Sequence, residues 1–226
     1  MGNQASLPWR LVKTSKGLAL VAGAAMALQG SGRTTLIAGP APMSTSPAYN
    51  FWDPANAAGT STLVRTSHGV SFTYKTDGLT PGQVVTVWVV VFNNPDACAT
   101  RPCTFADMGA GNPAAESDFL WGGGHVIGGS GTGSFGGHLR MGDASGSGLA
   151  EIGGTAVGLL NPLTAEIQLA LHSHGPAVPG LVLKAQLTSF LGGCQVFLGP
   201  DGIADGPEDM PVNVGECSTF QGSIHQ

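Results

Sequence analysis

Gln83-Val-Val-Thr-Val-Trp-Val-Val-Val-Phe92 is the longest apolar run outside the N-terminal region of this 226-residue chain. Read as a strand, it points Val85, Val87, Val89 and Val91 to one face. Val84, Thr86, Trp88, Val90 and Phe92 point to the other. Both faces are apolar, and a strand of that kind is covered on both sides. Seven of its ten residues are β-branched, and their stiff side chains fit a pleated surface better than a helix. Pro81-Gly82 before it and Asn94-Pro95 after it close the run at both ends. The stretch therefore predicts a central strand of an all-β domain.

Working outward, strand signals recur at short spacing. Gly59–Arg65 and Gly69–Lys75 alternate, with Val70, Phe72 and Tyr74 inward, and His68-Gly69 supplies the turn between them. Leu163–His172 alternates again, with Ala165, Ile167, Leu169 and Leu171 facing in and Glu166, Gln168, Ala170 and His172 facing out. Leu181–Leu187 repeats the pattern and is expected to pair with it antiparallel. Ser218–His225 is the expected last strand. From Trp121 to Gly148 almost every second residue is glycine, which reads as loops joined to a strand at Gly137–Met141. Gly131-Thr-Gly-Ser-Phe-Gly136 matches GxGxxG, but no βαβ frame surrounds it, so a dinucleotide site is rejected. The expected fold class is all-β: an antiparallel β-sandwich, Greek-key or Ig-like, with Gly-rich loops and no helix in the domain.

The N-terminal part reads differently. Arg10, Lys13 and Lys16 precede a small-residue apolar run from Gly17 to Leu28, the layout of a signal peptide, with Ala25-Met-Ala27 as a candidate cleavage signature. The expected organisation is a signal peptide over residues 1–30, an extended leader over 31–58 and a single sandwich domain over 59–226. An edge strand at Thr34–Ala38 and an aromatic cluster of Tyr49, Phe51 and Trp52, plugging one end of the fold or lining a ligand patch, belong to the leader. Cleavage near Leu28 would remove three of nine basic residues and none of fourteen acidic ones, making the formal charge of −5 more negative by three. An acidic surface argues against nucleic acid or anionic lipid as partner. No apolar stretch reaches the roughly 20 residues of a membrane span.

Four cysteines remain, an even count that reads as disulfides in an exported chain. Proximity in sequence favours Cys98–Cys103 and Cys194–Cys217, which by loop entropy contribute about 2 and about 3 kcal/mol. A zinc site is the rival, although the spacing supplies no pair of CxxC knuckles.

Three constellations carry chemistry. His172-Ser-His174 places two imidazoles on one face of a strand, where they can grip copper or zinc, with His125 and His138 of the Gly-rich segment as further ligands. The opposing reading leaves them facing water. Asp201, Asp205, Glu208 and Asp209 form an acidic Gly-rich loop whose oxygens suit calcium, against the simpler reading of a solvated loop. Asp107, Glu116, Asp118 and Asp143 offer carboxylate pairs for a hydrolase, a chemistry that needs two of them at a defined separation. GxSxG, P-loop and HExxH motifs are absent from the sequence.

Gly59-Thr-Ser-Thr-Leu-Val64, Val70-Ser-Phe-Thr-Tyr74 and Gly78-Leu-Thr-Pro-Gly82 resemble the opening of CHRD (chordin-type) domains. Pro179-Gly-Leu-Val-Leu-Lys-Ala-Gln-Leu187 resembles the strand that ends them. The resemblance spans Gly59 to Leu187 and implies an extracellular antiparallel β-sandwich used for binding or structure. Those domains carry a histidine pair soon after the Gly-Leu-Thr-Pro-Gly turn. Here Val85, Val87 and Trp88 take that place, so no ligand tied to that pair is implied.

The functional expectation is a secreted, disulfide-stapled, non-enzymatic module, extracellular, periplasmic or at the cell surface. Its partner would be a protein or glycan, or further copies through edge strands. The alternatives are a copper or zinc protein built on His172 and His174, and a hydrolase.

Overall fold

A computed structural model describes residues 42–51, 53–194 and 217–226. The proposed signal peptide, the Thr34–Ala38 strand, Trp52 and the acidic loop of Asp201, Asp205, Glu208 and Asp209 lie outside the described residues. Eight strands form one antiparallel sheet: β1 (Met43–Asn50), β2 (Asp53–Thr66), β3 (Gly69–Thr76), β4 (Gln83–Phe92), β5 (Ser117–Val126), β6 (Gly133–Arg140), β7 (Glu166–Pro176) and β8 (Ser218–His225). Their spatial order is β5-β4-β7-β8-β1-β2-β3-β6. The all-β expectation holds. The strands are not divided between two facing sheets, however. They run as one curled sheet whose end strands approach each other, in a nearly barrel-shaped arrangement.

β4 occupies the residues expected and is flanked by β5 and β7. Its Val85, Val87, Val89 and Val91 join Leu63, Phe72, Tyr74, Ile167, Leu169 and Leu171 in the interior. Its other face is buried as well. Trp88 packs with Phe119 and Leu149, and Phe92 with Cys103 and Ala115, under a layer of loops and helices. That layer consists of four 3-10 turns between Pro95 and Ala115, a short helix α1 (Gly148–Glu151) and a helix α2 (Leu181–Thr188).

Three sequence expectations are corrected. Residues 43–58, read as a leader, form β1 and the start of β2, and β1 pairs with both β2 and β8. Leu181–Leu187 is helical, not a strand. Leu, Lys, Ala and Gln are good helix formers, and Val182 and Gln186, four residues apart, form the buried side while Leu181 is exposed. β7 accordingly pairs with β4 and β8. Third, Ser117–Val126 is a strand despite three consecutive glycines.

Those glycines close the sheet. The Phe72 ring fills the volume where a side chain at Gly122 or Gly137 would lie. A Cβ at Gly137 would also come within 2.4 Å of the Gly122 carbonyl oxygen. The two end strands thus pack backbone to backbone without sharing a ladder.

A second weak junction lies between β1 and β8, where only Tyr49–Gly222 and Asn50–Gln221 pair. Interior side chains bridge it. Tyr74 donates to Gln221, which donates to Asn50. Ser44 and Ser61 bond the two ring nitrogens of His225, at 2.7 and 2.8 Å, and Ser61 also donates to Ser223. Buried Arg65 donates to the carbonyls of Pro162, Ala165 and His225, tying β2 to the β7 entrance and to the end of β8.

Gly137→Ala is expected to lower stability by roughly 1–3 kcal/mol, since the added methyl meets backbone that cannot yield. Gly128→Ala, where a Cβ would meet nothing within 4 Å, is expected to change stability little. Urea denaturation of both variants checks the difference.

Candidate functional site

The outer face of β7 carries His172 and His174, two residues apart and pointing the same way, as the strand period requires. They do not face water: His172 is 2% exposed and His174 fully buried. Their cover is the end of α2 and the segment that follows it. Gln186 donates to the carbonyls of His174 and Pro176 and accepts from the Val178 amide, fastening α2 to the end of β7. Glu151 accepts from the Ser189 hydroxyl and the Phe190 amide, holding the next residues. Phe190 then lies over His172, with ring centroids 4.4 Å apart, and edge-on to Trp88 and Phe119.

The disulfide Cys194–Cys217 closes the site; it and Cys98–Cys103 are the two pairs expected from sequence. The two imidazole rings stand 4.8 Å apart. Nδ1 of His174 lies 3.8 Å from the Cys194 sulfur and 4.0 Å from that of Cys217, and Nε2 of His172 lies 4.0 Å from Cys194. One ligand atom from each of the four residues lies within 4.8 Å of the other three. The side-chain types and spacing can hold a metal, but sulfurs joined to each other offer no thiolate.

Hydrogen bonds assign the protons. The Gly192 carbonyl can only accept, so Nδ1 of His174 carries the proton and donates to it at 2.8 Å. Nε2 of His174 then accepts from the Thr86 hydroxyl at 2.9 Å, and that oxygen accepts the Trp88 indole N–H. His172 bonds Thr219 through Nδ1 at 2.9 Å and also bonds the Phe190 backbone. Both rings are neutral: burial pushes His172 down to about 3, with the neighbouring His174 adding to the effect, and burial takes His174 to about 4.

The other sequence candidates lie elsewhere. His138 bonds Ser71, and His125 stacks on Phe135 with centroids 4.3 Å apart. Neither belongs to the cluster of His172 and His174. Together they line a groove of about 630 Å³ along the β5–β6 seam, with Trp121, the glycines of both strands, Asp143 and Ser145. The acidic candidates are mostly structural. Asp118 accepts from Ser147 and from the Phe119, Val157 and Gly158 amides. Asp107 accepts from the Ala99 and Thr104 amides, which hold it down at about 2. Sequence reasoning passed over His225 and Arg65. The alternation of Ser61, Leu63 and Arg65 along β2 carried the only signal for Arg65, as a cation on an inward parity.

Compared with known proteins, the chain matches no family model, no curated protein and no solved structure.

His225, buried and facing Arg65, is also lowered, to about 4. An unfolded histidine titrates near 6.5. Because all three native values lie below that, the stabilisation is complete above pH 6.5. It is lost as pH falls toward 4, and for His172 toward 3, because the unfolded chain takes up protons there that the native state refuses. Each histidine contributes a slope of up to about 1.4 kcal/mol per pH unit in that window. The urea midpoint is expected to fall between pH 6.5 and 4, and His225→Gln to make that fall shallower.

Proposed function

We propose that this protein is a non-enzymatic binding module of an oxidising compartment and that its ligand, a glycan, lies in the seam groove. The observation that carries this reading is the groove itself, formed where two end strands meet over glycines and leave about 630 Å³ open. Pockets that bind small groups pair apolar faces with a few placed polar groups. Trp121 is 38% exposed, and its indole N–H is committed to the Leu187 carbonyl at 2.8 Å, which fixes the ring. A fixed aromatic ring offers a face to the C–H side of a sugar. The oxygens of Asp143 and Ser145 offer acceptors for hydroxyls. The Ser145 hydroxyl and amide lower the Asp143 pKa, keeping it ionised.

Two disulfides favour an oxidising compartment, in line with the signal-like N-terminus. The CHRD resemblance of the β2–β4 region belongs to the same reading. Its second segment, Pro179–Leu187, falls largely on α2. Among the described residues no helix is long and apolar enough to cross a membrane. Assembly through edge strands has less support, because β5 and β6 approach each other along the seam. A hydrolase has less support as well, because Asp107 and Asp118 are occupied by backbone donors.

The test is a glycan array followed by calorimetric titration of any hit. Trp121→Ala is expected to weaken binding about tenfold or more, roughly 1.4 kcal/mol, while Val126→Ala on the same strand leaves it unchanged. An array without hits, or an affinity indifferent to Trp121, would reject the groove as the glycan site.

A further inference from the structure

We infer that His172, His174, Cys194 and Cys217 form a Cys2His2 zinc site once the Cys194–Cys217 disulfide is reduced. The four donors already converge, with ligand atoms within 4.8 Å of one another. Tetrahedral zinc, with bonds of about 2.3 Å to sulfur and about 2.0 Å to nitrogen, separates its ligands by roughly 3.3–3.8 Å. The donors therefore need only small movements, chiefly the parting of the two sulfurs.

Contacts other than the disulfide hold the scaffold around each cysteine. Cys217 directly precedes β8, whose Ser218 and Thr219 pair with Ser173 and His172. Cys194 ends a turn in which its amide donates to the Leu191 carbonyl. That turn is held by Glu151 through Phe190 and by the packing of Phe190 on Trp88, Phe119 and His172. Opening the sulfur–sulfur bond leaves both thiols facing the same two imidazoles.

The outer hydrogen bonds suit the change. The nitrogens nearest the sulfurs are Nε2 of His172 and Nδ1 of His174. The opposite nitrogen of each ring meets a threonine hydroxyl, Thr219 for His172 and Thr86 for His174. A hydroxyl donates to a bare nitrogen or accepts from a protonated one. Each imidazole can therefore turn its lone pair toward zinc and keep its outer partner, the arrangement that orients histidine ligands in metal sites. His174 gives up its bond to Gly192 in the process, and His172 its bond to the Phe190 backbone.

The chemistry balances with a dithiol as reductant. The dithiol supplies two electrons and two protons, the Cys194–Cys217 bond breaks, and the dithiol becomes a disulfide. Zinc binding then displaces both thiol protons to solvent, leaving two thiolates and two neutral imidazoles as ligands.

The experiment uses the full chain carrying Cys98→Ala and Cys103→Ala, so that only one disulfide is present. Oxidised protein and protein reduced with a phosphine, which does not compete for zinc as a dithiol would, are loaded with zinc, desalted and assayed for metal. Cobalt(II) replaces zinc in a parallel sample. About one zinc per reduced chain is expected and almost none per oxidised chain. The cobalt form should show tetrahedral d–d bands with thiolate-to-cobalt charge transfer. His172→Ala with His174→Ala should weaken metal binding by about tenfold or more. A reduced protein that takes up no zinc, or whose cobalt spectrum lacks tetrahedral thiolate bands, would overturn the assignment without recourse to any histidine variant. So would equal uptake by the oxidised form, or an unchanged affinity in a folded double-histidine variant.

Discussion

A strand with no polar face obliges the rest of the chain to cover it twice. β4 meets the interior of the curled sheet with four valines and the outer layer with Val84, Thr86, Trp88, Val90 and Phe92. The inner requirement is met by repetitive structure, since neighbouring strands supply apolar side chains at the same period. The outer requirement is met by irregular chain: 3-10 turns, two short helices and the segments between them. Irregular chain laid over a buried face brings backbone N–H and C=O groups with it, and these need partners. Buried side chains supply them. Asn93 bonds the backbone of Glu116, Gly158 and Leu160, Asp118 serves Val157 and Gly158, and Gln186 serves His174, Pro176 and Val178. Glu166 serves Cys103 from within β7. These polar residues are the counterpart of the valines.

The curled sheet has two junctions where the ladder fails, and each is solved by different chemistry. At the β5–β6 seam the chain removes side chains, so that backbones approach and one ring, Phe72, fills the interior. At the β1–β8 junction it adds polar side chains, and serines, His225, Gln221 and Asn50 take over the bonding that backbone would provide. The first solution leaves an open groove outside. The second places neutral histidine and Arg65 in the interior, where a satisfied network specifies one arrangement and a half-satisfied one is costly. Arg65 is served by three carbonyls, although its Nε has no partner among the described residues.

The buried histidine pair follows from the same two-sided covering. On an open sheet, His172 and His174 would be solvated and ordinary. Under α2 and Phe190 they lie in a buried site where each ring nitrogen has a definite partner and the cysteine sulfurs lie within about 4 Å. Burial favours neutral imidazole, the form that binds metal, so the environment that depresses these histidines also prepares them as ligands once thiolates are present.

Periodicity and proximity were legible in the sequence. The run at Gln83–Phe92, the alternation of β2 and β3, the inward face of β7, the last strand at Ser218–His225 and both cysteine pairings follow from patterns that depend on near neighbours alone. So does the shared face of His172 and His174. Tertiary structure decided what those patterns leave open. Glycines carry no side-chain signal, so β5 became a strand only through pairing with β4 and through the fit of Phe72 against it. Leu181–Leu187 is too short for its period to separate strand from helix, and packing of Val182 and Gln186 against the outer face chose the helix. Whether a face is wet or covered is set by contacts far apart in sequence. The sequence therefore determined that two imidazoles point one way, and only the fold determined that two sulfurs meet them there.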